Sequence, residues 1–352
     1  MNGDWLIHGR GGVLCAYAYA PEEGAVVCRV ERHPEGPWSP PRTVGGEQRV
    51  HPGGAVARSA QGYAHLVAWR PTVPGEAGLV HSTHFQPHLS ALDWLPIGHP
   101  NKKGDRTGPP AVAVDAQGRA HVFVRNNGGG VSLRMQEEKG GWGPWRDLKG
   151  EDVHGELAAV TGESGLITLY GVTADGGILR WRQEKAGQTL VRDEKPEPAA
   201  AGPGTLCALA TSAEHTTLFF TDEDGAVCAW RGSEAPVRVL DAAGPGAVSA
   251  VRCQLGGVDC TLLAQRTAGG RVAFAAYPTE TESAGAWWAE SEAGPEVPQD
   301  ARVALAEDGN GRVAAASWAP GESGRLWLAR RKRDEAGLAM GAWREVGPPH
   351  KL

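Results

Sequence analysis

The sequence predicts an all-β protein: a seven-bladed β-propeller of four-stranded antiparallel blades. Three observations predict it. The stretch AVAVDAQGRAHVFVR (111–125) sets two apolar runs around Asp-Ala-Gln-Gly, where Gly118 supplies the positive φ of a tight turn, so it reads as a β-hairpin. The same hairpin recurs along the chain at a spacing of roughly 50 residues, each time followed by a Gly-containing loop and a third apolar run. Glycine (50) and proline (25) are abundant in the 352 residues, with no collagen period and no low-complexity block. Many short strands joined by tight turns need that composition, and no sustained 3.6-residue apolar period argues for long helices.

The units follow in order. Unit one pairs VLCAYAYA (13–20) with AVVCRVE (25–31), and unit two pairs YAHLVAW (63–69) with LVHSTHF (79–85). Unit three pairs RAHVFVR (119–125) with VSLRMQE (131–137), and unit four LITLYGV (166–172) with ILRWRQE (178–184). Units five, six and seven pair TTLFFTD (216–222) with AVCAWRG (226–232), VDCTLLAQ (258–265) with RVAFAAY (271–277), and RVAAASW (312–318) with RLWLARR (325–331). A fourth strand carrying Trp is expected in five units, at Trp38, Trp94, Trp145, Trp287 or Trp288, and Trp343.

One four-stranded sheet cannot bury both faces, but seven around an axis can, so the strands read as apolar runs rather than strict alternation. The expected blades are 1–46, 47–103, 104–150, 151–200, 201–243, 244–293 and 294–352, forming a single domain over 1–352. Unit one begins at its own first strand near Asp4-Trp5-Leu6-Ile7-His8, and unit seven ends in its own fourth strand. No strand exchange is therefore expected at ring closure.

Composition narrows the function classes. Hydrophobic residues make up 41%, enough for a core, and the net charge is −6. The densest basic cluster, Arg330-Arg331-Lys332-Arg333, lies beside a strand and reads as a solvated turn, so no nucleic-acid partner is expected. No apolar stretch is long enough for a membrane, and the first residues lack the regions of a signal peptide. The expectation is a soluble protein, cytoplasmic or exported without a classical signal peptide. Arginine outnumbers lysine and alanine is abundant, as in a GC-rich bacterial genome. Cys15, Cys28, Cys207, Cys228, Cys253 and Cys260 include no C-x-x-C pair. Cys253 and Cys260 flank Gly256-Gly257 symmetrically and are expected to face each other; reduced, buried thiols are the expected state.

The pattern GPPAVAVDAQGRAHVFVRNNGGGVSLR, followed by GGWGPWRDLKG, resembles a blade of the seven-bladed bacterial propeller lectins (the PLL-like fucose-binding group), themselves similar to tectonins. The resemblance is clear in blade three, weaker in two and seven, and degenerate in four to six. It implies sugar sites between neighbouring blades, with an aromatic ring under the sugar and polar groups on its hydroxyls. The family's third strand often reads Leu-Trp-His; here Leu326-Trp327 matches the first two residues and Val80-His81 the last.

The blades have diverged from one another, which favours one site over seven equal ones. His51, Asp105, Arg106, His154, Glu156, Asp300 and Arg302 precede first strands and are expected at one mouth of the central channel. The loops at 70–78 and 319–324 open on the same face, with Trp69 and Trp318 at their roots. Ligand-binding candidates are thus Trp69, Trp318, Trp327, Arg106 and Arg302: rings to stack on and guanidiniums to hold an anion. His51, His154 and Glu156 are the candidates for moving a proton. The competing reading is that these groups merely hydrate the funnel and pack between blades.

His81, His84 and His88 are spaced so that strand alternation turns the first two to opposite faces, so no metal site is expected. TDEDG (221–225) and TGESG (161–165) read as turns, and no cofactor is expected. The expected partner is a sugar or another small molecule. Three functions stay open: a lectin-like carbohydrate binder, ranked first; an enzyme acting on a small molecule in the funnel, as in specialised metabolism; and a protein-interaction scaffold.

Overall fold

Seven separate antiparallel sheets stand around one axis, and in each the strands pair in chain order. The computed structural model describes residues 5–232, 234–291, 294–299, 301–319, 325–333 and 337–346. The innermost strands are Leu6–His8, Ala55–Arg58, Ala111–Val114, Val153–Thr161, Cys207–Ala210, Ser249–Leu255 and Val303–Glu307. Each touches the innermost strand of the next blade and the last touches the first, which closes the ring. Blades one and seven each own all four of their strands, so closure involves no exchange. Blade four adds a short strand, Glu197–Pro198, against its third strand. Among the described residues the one helical element is a 3₁₀ turn, Glu282–Ala284.

The recurring hairpin is held by its own aspartate. Asp115 Oδ1 accepts the N–H groups of Gln117 (3.0 Å) and Arg119 (2.9 Å), while Gly118 takes φ +78°. Blade seven repeats this: Asp308 Oδ1 accepts Asn310 (2.9 Å) and Arg312 (3.0 Å), with Gly311 at φ +72°. The short acceptor satisfies turn N–H groups that no strand reaches, and glycine alone takes that backbone without strain.

Blades join through apolar faces and a repeated stitch. Ile167–Thr173 is buried along its whole length, because each of its faces meets another blade. Each Val, Leu or Ile buried this way contributes about 1.5–3 kcal/mol. The stitch uses one register position of the third strand. Arg29, Arg134 and Trp181 stand there, paired with Ala16, Val122 and Leu169. Each donates to a carbonyl at the outer edge of the preceding blade: Arg29 Nη1 to Val346 O (2.6 Å), Arg134 Nη1 to Ile97 O, and Trp181 Nε1 to Leu148 O (2.9 Å).

The fourth strands differ from expectation. They are short, such as Arg42–Thr43 and Arg146–Asp147, and the tryptophans come just ahead of them rather than within them. Trp38 pairs back across to Glu31 in an isolated antiparallel bridge. Trp38 and Trp94 sit in the apolar cluster joining blades seven, one and two, and Trp343 stacks on Phe274 at 6.4 Å. Gly45 admits Trp94: a Cβ there would lie 2.2 Å from the indole nitrogen. All six cysteines are free, and Cys253 stands directly opposite Cys260.

Candidate functional site

The channel along the axis encloses about 410 Å³ and is walled mainly by alanine and valine from the innermost strands. At the mouth where those strands begin, Arg302 donates to Glu156 at 2.6 Å. A bulge makes this contact. Between the pairs His154↔Val172 and Leu157↔Gly171, Gly155 and Glu156 leave the ladder, with Gly155 at φ +69°. Glu156 thereby reaches the guanidinium of blade seven. Two candidates from the sequence are thus brought together, with each other rather than with a ligand.

The remaining candidates do not join that pair, and His51, Asp105 and Arg106 lie near one another at the entries to blades two and three. His154 is exposed on the same bulge. The backbone N–H of His51 donates to Trp69 O at 2.7 Å. Burial pushes the His51 pKa down, the charge of Arg106 pushes it further, and Asp105 opposes both. Arg106 is exposed and engages its neighbour Asp105, whose Oδ1 accepts the Arg106 backbone N–H at 2.7 Å. Asp300 and the loop at 320–324 lie outside the described residues.

The tryptophans differ from the stacking role expected of them. Trp69 is 2% exposed and its Nε1 donates to Gly108 O (2.7 Å) across the boundary between blades two and three. Trp318 is 5% exposed and packs near Trp5 at 6.5 Å. Trp327 is half-buried against the cluster between blades six and seven. Sheets buried on both faces draw large rings into the interfaces, so these rings are filled by neighbouring blades.

The histidines of blade two turn apart as alternation requires. His81 Nε2 lies 3.1 Å from His65 Nδ1, whereas His84 Nδ1 meets Tyr17 OH at 2.8 Å in blade one. Among the described residues no three His, Cys, Asp or Glu groups gather as a metal site would require.

A second concavity, of about 500 Å³, lies between blades seven and one. Its floor is a buried charge network. Arg330 of blade seven donates to Asp308 of its own hairpin and to Glu31 of blade one. Glu31 is fully buried, and its other oxygen accepts the Leu14 N–H at 3.1 Å. Burial raises the Glu31 pKa, while the Arg330 charge and the Leu14 bond work to lower it. At the rim Arg312 donates to Glu35 at 3.0 Å, and Arg333 also binds Glu35, holding that carboxyl below its ordinary range. Pro37, Trp38 and Leu328 supply the apolar wall.

The network occupies a recurring position. Gln136 and Gln183 stand where Glu31 stands and accept the same backbone N–H, from Ala120 (2.9 Å) and Ile167 (3.3 Å). Only the blade that receives Arg330 has a carboxylate among these three. The sequence reading missed this cleft because its partners are 299 residues apart; the available signal was Glu31 standing in register with two glutamines.

No protein-family model matches the sequence, and no curated protein matches it. Solved structures do share its fold. The BP39L lectin from Burkholderia pseudomallei is 16% identical over 98% of both chains, with a TM-score of 0.69. AofleA from Arthrobotrys oligospora is 12% identical over 83% of this chain and 84% of its own, at 0.53. The SapL1 lectin, solved with alpha methyl fucoside, is 14% identical over 82% of this chain and 95% of its own, at 0.51. At these identities the likeness is one of fold.

Proposed function

We propose that this protein is a carbohydrate-binding β-propeller and that its sugar site is the cleft between blades seven and one. The observation that carries the reading is the charge network of Glu31, Arg330, Asp308, Arg312 and Glu35 beside an apolar wall. A sugar presents hydroxyls that both donate and accept, and a face of C–H groups. The rim pair Arg312 and Glu35, already fixed by one another above the buried network, offers strong hydrogen bonds without reordering on binding. The exposed ring of Pro37 offers the C–H face a surface. Structural neighbours named as lectins support the reading at the level of fold.

The site is single in this reading. Gln136 and Gln183 replace Glu31 in blades three and four, and blade two has His84 bound to Tyr17 there, so the charged arrangement is not repeated in those blades. The test is a glycan array that includes fucosylated and O-methylated sugars, followed by calorimetry on any hit. One sugar per chain is expected, weakened by Glu35→Gln, a rim change that leaves the buried network in place. Silence across the array at high protein concentration, or a hit indifferent to Glu35→Gln, overturns the assignment.

A further inference from the structure

We propose a second site of different chemistry: the hairpin end of the central channel binds a small oxyanion, a carboxylate or a phosphate, between Arg58 and His8. Both residues end innermost strands, in the adjacent blades two and one, and both line the channel.

Arg58 stands apart from the other arginines near the axis. Arg302 has Glu156, Arg252 has Asp259 (2.7 Å) and Glu163, and Arg119 has Asp115 (2.7 Å). No carboxylate among the described residues lies within ion-pair distance of Arg58. Its guanidinium is open to solvent yet crowded by protein, and that crowding alone holds its pKa below the ordinary value. A guanidinium with no carboxylate partner at the mouth of a channel is free to take a bidentate oxyanion through charge-assisted hydrogen bonds.

The surroundings favour an incoming anion over an internal one. Glu307 ends the innermost strand of blade seven, on the far side of His8, and lines the channel too, but its Oε1 lies toward its own hairpin, 3.4 Å from where a Gly311 Cβ would stand. The Thr161 hydroxyl is occupied by Val114 O at 2.8 Å. His8 is pushed down by burial and then by Arg58, with Asp308 opposing, so it faces the ligand as a neutral imidazole able to donate. The opposite mouth is crossed by Arg302 and Glu156, so a ligand enters at the hairpin end, into a space of about 410 Å³.

The experiment titrates the intact protein with inorganic phosphate, and separately with acetate and citrate, by calorimetry, while the His8 imidazole is followed by NMR. One anion per chain is expected, with a perturbed His8 signal. Arg58→Gln is expected to weaken binding at least about tenfold, and the exposed control Arg146→Gln to leave it unchanged. Phosphate binding without carboxylate binding assigns a phosphate ligand, and the reverse a carboxylate. Failure of all three anions to saturate by about 50 mM overturns the site, as does equal binding by Arg58→Gln. A melting curve reports the fold of Arg58→Gln independently; without ligand it is expected to be no less stable than the parent. Glu35→Gln is expected to leave anion binding intact, which separates this outcome from the sugar reading.

Discussion

Arg302 and Glu156 meet at 2.6 Å across the channel mouth although 146 residues separate them, one in blade seven and the other in blade four. The contact spans the ring, whereas every stitch between neighbouring blades acts along it. Both side chains keep roughly a quarter of their surface exposed, so the pair adds little stability. Glu156→Gln is expected to cost less than about 1 kcal/mol in urea denaturation. A larger loss would mean the pair clamps the ring rather than merely crossing its mouth.

The network at ring closure differs in kind. Arg330 is the shared donor for Glu31 and Asp308, and both carboxylates are buried. Arg330→Ala strands two buried anions and is expected to cost about 3–5 kcal/mol. Glu31→Gln keeps the acceptor for Leu14 and leaves Arg330 its bond to Asp308, so a markedly smaller loss is expected. Equal losses in the two variants would place the whole contribution of Arg330 in its pair with Glu31, and no loss in Glu31→Gln would show that Glu31 does not share Arg330 in solution.

Acid sensitivity should originate in blade two. Burial holds the pKa of His65 down to about 4 and, with the neighbouring His65 ring adding to it, that of His81 to about 3. Above pH 6.5 both imidazoles are neutral in either state, so stability does not depend on them. Below 6.5 the unfolded chain takes protons that the folded chain refuses, and stability falls until the folded pKa values are reached. Each such proton steepens the slope by about 1.4 kcal/mol per pH unit. His81→Gln is expected to flatten the slope between pH 6.5 and 4. Asp115 acts in another window. Burial opposes its ionisation, but bonds from His121 and Arg119 prevail and hold it at about 2. Its contribution is complete above its unfolded value of 3.8 and is lost between 3.8 and 2. A slope unchanged by His81→Gln would place the sensitivity elsewhere.

The fold was legible because its instructions are local. Asp115 and Gly118 fix a turn within four residues, Asp308 and Gly311 repeat it, and the repeat spacing supplies the blade number. The clefts were not legible, because what fills them is set by which blades become neighbours. Nothing near Glu31 announces Arg330, and nothing near Arg302 announces the bulge that delivers Glu156. Trp69 shows the same limit. In strands buried on both faces, alternation does not reveal whether a ring faces a loop or the next blade.

Trp69 also offers the sharpest separation between packing and recognition. Its indole fills the boundary between blades two and three, and its Nε1 satisfies the Gly108 carbonyl at 2.7 Å. Trp69→Phe keeps most of the apolar volume and removes the donor. The expected cost is about 1–3 kcal/mol, the penalty of an orphaned buried acceptor plus a small void. Sugar binding is expected to stay at the parental level, since the proposed cleft lies between blades seven and one. Trp69→Ala adds a large cavity and is expected to cost about 3–5 kcal/mol. The check pairs a melting curve with a binding isotherm on the same samples. A folded Trp69→Phe protein that no longer binds sugar would move the site to the blade two–three boundary, and His51, Arg106 and the loop at 70–78 would become its other walls.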